Sequence, residues 1–168
     1  MRRQVFLGIL LAFAVVSVAA RAQPVRIPGK GDPALVVEVP RHWELHQEEG
    51  HVALHLKGAK VFLQLSMVSG LAVDRTPLPT IASNVFEAAG MPAWSQTLPA
   101  TIDGRAGQAY VSVRADPGGG IVTMVLTLVK LDPLHVAALI RGTVDSEASA
   151  QAGYLDELAG SIRIVGAR

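Results

Sequence analysis

Four of the chain's five histidines fall in one stretch, HWELHQEEGHVALH, residues 42 to 55. Imidazole nitrogens suit zinc, copper and nickel. Because the chain has no cysteine, His42, His46, His51 and His55, with Glu44, are the residues that could hold Zn or Cu through nitrogen and oxygen donors alone. Whether the rings can meet is a question about the backbone, since side chains along a strand alternate between its faces. If QEEG (47 to 50) is a hairpin loop, His46 faces His51 and His42 faces His55. All four rings then share the face opposite Leu45, Val52, Leu54 and Leu56, with Trp43 on the buried side. Directly opposed residues hold their Cβ atoms about 4.5 to 5.5 Å apart, close enough for His46 and His51 to share one ion. The simpler reading is a solvated outer face of an amphipathic hairpin, with Phe62 beside His55 and no cofactor at all. Clustered histidines also give a pH response, because each raises its neighbours' cost of protonation near neutrality.

No other constellation carries chemistry. GKGD (29 to 32) lacks the spacing and the strand-to-helix setting of a phosphate loop. DPGGG (116 to 120) reads as a mobile turn. Ser69 and Ser161 lie in no nucleophile-elbow pattern. Asp132 and His135 are explained by a turn before a strand, and no serine is placed with them. Trp94 after GMP is either a contact point or, more commonly, core. Without an acid/base pair to defend, the sequence leans away from an enzyme.

The first residues point to export. Arg2 and Arg3 precede an uncharged apolar run from Val5 to Ala20, followed by Ala20-Arg21-Ala22, the layout of a cleavable signal peptide over residues 1 to 22. A spanning helix needs about 20 apolar residues, so an N-terminal anchor in the inner membrane is the alternative. Without Arg2, Arg3 and Arg21, the 15 basic residues become 12 against 14 acidic ones, and the formal charge moves from +1 to −2. That leaves no basic stripe for nucleic acid. Arginine and alanine usage together with the leader suggests the periplasm of a bacterium. No later apolar stretch is long enough to span a bilayer, so no membrane span is expected after leader cleavage.

Removing 22 of 168 residues leaves 146, enough to bury roughly 68 to 70% of the unfolded surface in one domain. Residues 23 to 33, with three prolines, read as an extended N-terminal arm, and 34 to 168 as the domain. LVVEV (35 to 39) reads as a strand stopped by Pro40. Gly58-Ala59 reads as a two-residue type II′ loop that sets Leu56, Leu54 and Val52 opposite Val61, Leu63 and Leu65. In TPLPTIASNVFEAAGMP the period turns helical, with Leu78, Ile81, Val85 and Ala88 or Ala89 on one side, Thr76 as cap and Gly90 as stop. Asp103-Gly104 signals a type I′ hairpin between Ile102 and Arg105. Ile121 to Leu131 reads as a central strand covered on both faces. A last helix opens at Asp145 or Ser146 and carries Ala148, Ala152, Leu155, Leu158 or Ala159, and Ile162.

The segments VVEVPRHWEL, IDGRAGQAYV and LAGSIRI, in that order around two helices, resemble the PsbP-like superfamily, including the bacterial DcrB-like proteins. His42 stands where that family's strand-Pro-x-Gly-Trp opening has glycine. The resemblance covers most of the chain after the leader. It implies an α+β fold, an antiparallel β-sheet flanked by two main helices in an α/β/α sandwich, and a noncatalytic accessory role with an envelope or periplasmic protein partner. The function expected is therefore a periplasmic interaction module; the alternative is a periplasmic Zn- or Cu-binding protein using the histidine hairpin.

Overall fold

The computed structural model describes residues 23 to 167 apart from Glu49 and Gly118, so the expected signal peptide lies outside the described residues. The most apolar run forms β8 (Ile121–Asp132), which pairs antiparallel with β7 (Arg105–Ala115) on one side and β9 (His135–Val144) on the other. Along β8, Leu126 and Leu128 are buried on one face and Val129 and Leu131 on the other. This is the doubly covered central strand that its continuous hydrophobicity predicts.

Around this centre the sheet grows to seven strands, all antiparallel, in the order β3-β4-β5-β9-β8-β7-β6. The remaining members are β3 (Trp43–Glu48), β4 (His51–Leu56), β5 (Phe62–Ser69) and β6 (Gln96–Ile102). In the β4-β5 hairpin Val52 pairs with Leu65 and Leu54 with Leu63, as the sequence predicts. The turn bond runs from the Ala59 N–H to the Leu56 carbonyl, which makes Gly58, at φ +76°, the third residue of the turn rather than the second. The inward residues Val52, Leu54, Leu56, Val61, Leu63 and Leu65 are all buried, each worth about 1.5 to 3 kcal/mol relative to exposure. A slip of one residue would turn them to water. Asp103 and Gly104 adopt φ +49° and +73° between the paired Ile102 and Arg105, the two positive angles a type I′ turn requires.

Each face has its own cover. One is roofed by α1 (Leu71–Arg75) and α2 (Leu78–Ala88), with Ile81, Ala82 and Phe86 of α2 packing over Leu126, Leu128, Ala138 and Ile140. Pro77 rather than Thr76 holds the cap position of α2, and Gly90, at φ +62°, follows its end. Trp94 is half-buried against the core on the α2 side, edge to face with Tyr110 at 5.2 Å, and the Ser112 hydroxyl donates to the Pro92 carbonyl at 2.6 Å, tying down the segment between α2 and β6.

The opposite face is covered by α3 (Asp145–Gly160), through Leu155 and Leu158 with Ile162 just beyond it, and by a second sheet. That three-stranded sheet has the order β1-β2-β10, from β1 (Gln23–Ile27), β2 (Ala34–Val39) and β10 (Arg163–Val165). Residues 23 to 33, expected as an extended arm, thus begin with a strand whose Val25 and Ile27 are buried in the main core. The fold is the expected α+β arrangement with an antiparallel sheet between helical layers, and the small sheet is an addition to it. Ala152, expected on the apolar stripe of α3, is exposed.

The Phe62 ring lies over Gly142, its cross-strand partner, where a Cβ atom would collide with it. Gly142→Ala is expected to lower unfolding stability in urea by about 1 to 3 kcal/mol, the usual range for overpacking. In a Phe62→Ala background, where the ring is gone, the same change should cost a small fraction of that.

Candidate functional site

The histidine hairpin forms, but in a different register from the one expected. Glu48 pairs with His51, His46 with Ala53, and Glu44 with His55. Strand β3 runs on to Glu48 and β4 opens at His51, with Gly50 at φ +81° just before it. The displacement from the expected pairing is two residues along β3, an even number, so it preserves which face each side chain takes. His46, His51 and His55 therefore still share one face, but Ala53 now stands opposite His46 and keeps it from meeting His51 directly.

The rings form pairs and not a cluster. His46 and His55 lie edge to face with centroids 5.7 Å apart, and His55 contacts Phe62 at 6.1 Å. His51 Nε2 sits 3.5 Å from Glu48 Oε2. His42 leaves the group altogether. It occupies a turn closed by the Trp43 N–H on the Pro40 carbonyl, and its ring lies 5.1 Å from that of Tyr154 on α3, the helix of the other face. Among the described residues no three side chains of His, Asp or Glu are gathered where they could hold a metal ion.

Asp132 and His135 do associate, across the β8-β9 turn. The His135 Nδ1 lies 2.9 Å from each Asp132 oxygen, and Asp132 Oδ1 also accepts the Leu134 N–H at 2.7 Å. Register also places Ser69 directly opposite His135, a neighbour that sequence spacing did not show. The Ser69 hydroxyl makes no hydrogen bond to the ring among the described residues, and the dyad's contacts are those of a turn clasp. Desolvation pushes the Asp132 carboxyl up, but the Leu134 N–H, the His135 hydrogen bond and the His135 charge together outweigh it and hold it below the usual carboxylate range.

A groove lies along α3, on the sheet face it covers. A cavity of about 680 Å³ has Thr127, Leu139 and Arg141 as its floor, the β6-β7 hairpin from Ala100 to Gly104 as one wall, and Ala159, Gly160, Ile162 and Arg163 as the other. A second cavity of about 220 Å³ shares Arg141 and continues along Thr123, Val125, Thr143, Leu155 and Asp156. The hairpin tip is tied to the chain end beyond α3, since the Ile164 N–H donates to Asp103 Oδ2 at 2.8 Å and Arg105 to the Ala167 carbonyl at 3.0 Å. Outward of the groove the same face is bare. Leu98 pairs with Ala109, itself paired with Thr127, and Val113 pairs with Thr123, so Leu98, Val113 and Ile121 all lie on the α3 side. They are 45%, 42% and 43% exposed.

Sequence reasoning missed this site because its residues come from β6, β8, β9 and α3. One signal was legible: Arg141 interrupts the apolar run VAALIRGT at an inward-facing position, where a charge is costly without a purpose.

No family model matches the chain, and no curated protein matches it in sequence. Its fold is shared with solved structures. LpqN of Mycobacterium tuberculosis, described as involved in cell envelope biogenesis, aligns with a TM-score of 0.53 at 17% identity, over 84% of this chain and 90% of that one. A protein of Bacteroides thetaiotaomicron VPI-5482 aligns with a TM-score of 0.51 at 9% identity, over 77% of this chain and 44% of its own. At such identities the likeness is one of fold alone. Among the described residues no helix is long and apolar enough to cross a membrane.

Because the Asp132 carboxyl is held below its unfolded value, its contribution to stability is complete above the ordinary carboxylate range and is lost as pH falls through the lowered folded value. Asp132→Asn is expected to melt below the parent protein at pH 7. The gap should close in scans taken progressively further below pH 4, the usual carboxylate region.

Proposed function

We propose that this protein is an exported, noncatalytic accessory module of the bacterial envelope that holds a protein partner on the bare side of its sheet. The observation that carries this reading is the strip of Leu98, Val113 and Ile121, three large apolar side chains left open on one face of β6, β7 and β8. Single exposed apolar residues are ordinary; three on one sheet face beside a groove, with the half-buried Val111 and Val125 between Leu98 and Val113, support a contact surface. The strip is an extended sheet face, flanked by α3, with room for a partner strand or helix to lie across it. Export is supported by the leader-like layout of residues 1 to 22. The description of LpqN as an envelope biogenesis protein fits the same compartment.

A photoreactive amino acid placed at residue 113 in the producing cells is expected to yield a discrete adduct, while the same probe at Glu87, exposed on α2 across the sheet, should yield none. Val113→Asp should reduce an adduct formed at residue 98 at least about tenfold, as loss of one buried hot-spot side chain would, without lowering the melting temperature. Equal adducts at 113 and 87, or none at 113, would remove the reading. For export, the mature protein released by osmotic shock should begin near Gln23 when sequenced from its N-terminus.

A further inference from the structure

Arg141 is the least satisfied charged group in the groove. A guanidinium offers five N–H donors in a planar fork. This one is only a third exposed, its Nε is buried without a partner, and its nearest carboxylate, Asp156 Oδ1, is 3.7 Å from Nη1, too far for a hydrogen bond. None of its donors is engaged by the described residues. The other charged groups lining the large cavity are committed. Arg163 gives its Nη1 to the Gly160 and Ile162 carbonyls at 2.7 and 2.8 Å, and Asp103 takes the Ile164 N–H. Buried donors are nearly always paired in folded proteins, so a fork left open beside a cavity of about 680 Å³ calls for an acceptor from outside.

We propose that this cavity is a binding site for a small monocarboxylate carried on an apolar body, with the carboxylate forked against Arg141. The volume falls within the range of small-molecule sites, which combine apolar walls with a few polar anchors. Here Ala100 and the nearly buried Ile102, Leu139 and Ile162 supply the apolar part of the walls, and the nearly buried Thr127 lies on the same sheet face as the arginine. Arg163, the other cation of the lining, is set against Asp103 at 4.0 Å, so among the described residues the open fork of Arg141 is the one uncommitted cationic anchor and selects one negative charge and not two. Asp156 stands beside Arg141, Asp103 lines the far end, and the carbonyl end of α3 adds negative potential at Gly160. A phosphate dianion would meet all three, whereas a carboxylate matches the fork in shape and leaves its apolar remainder for the walls.

The site is separate from the partner surface, so the two stand or fall apart: an adduct at residue 113 says nothing about carboxylate binding, and the reverse holds. The test is a titration of the ¹⁵N-labelled protein with benzoate, and in parallel with benzamide, followed by amide chemical shifts. Benzoate is expected to give saturable shifts centred on Gly104, Thr127 and Gly160, with benzamide binding at least tenfold more weakly. Arg141→Gln should lose at least tenfold in benzoate affinity, and Arg141→Lys, which keeps the charge but not the fork, should fall between. Ala100→Phe, which leaves Arg141 in place and fills the cavity from the edge strand, should block binding and serves if the arginine variants misfold. No saturable shift, equal affinity for acid and amide, shifts centred elsewhere, or binding that survives the Ala100→Phe change would overturn the proposal.

Discussion

Strands β8 and β9 bury side chains on both of their faces, and a sheet with two apolar faces has to be roofed twice. Val129, Leu131, Ala137 and Leu139 point one way; Leu126, Leu128, Ala138 and Ile140 point the other. Every other element follows from that double demand. The helices α1 and α2 answer it on one side, and α3 with the small β1-β2-β10 sheet answers it on the other. At roughly 25 cal/mol for each Å² of apolar surface removed from water, neither cover is optional.

The covers do not reach the ends of the sheet, and their limits define its exposed surfaces. On the α2 side the bare portion is the β3-β4 hairpin, which is polar and carries His46, His51 and His55. On the α3 side the bare portion is apolar at Leu98, Val113 and Ile121, and the transition from covered to bare is the groove over Arg141. Two exposed regions of one sheet thus differ in chemistry: one is a solvated polar face, the other an apolar one of the kind found at contact sites. This asymmetry makes the α3 side, and not the histidine hairpin, the better candidate for recognition.

The histidine hairpin shows how local register decides chemistry. Period-two alternation put three of the four clustered histidines on one face, and it did so whichever even register the hairpin adopted. Setting His46 opposite His51 needed the register itself, which depends on where the turn forms. QEEG contains one glycine and no strong two-residue turn signal, so the position of the bend was not readable, and the structure pairs β3 with β4 two residues out of the expected register. His42 escaped the alternation because it lies in the Pro40 to Trp43 turn, outside the strand.

The amino-acid sequence determined what depends on neighbours a few residues away. It located the central strand from its apolar run and the β4-β5 and β6-β7 registers from their glycine turns. It also foresaw α2 and α3 from their periodicity. The tertiary structure alone decided what depends on distant segments. Strands β1 and β10 are too short, at five and three residues, to show a pattern, and exist because β2 offers them edges. Ser69 meets His135, and Arg141 lines one cavity with Ala100 and Gly160 and pairs with Asp156, only because antiparallel pairing and helix docking bring together segments distant in sequence. Local propensity acts over a turn or two of chain, whereas a cavity is the space left among surfaces that no short stretch of sequence contains.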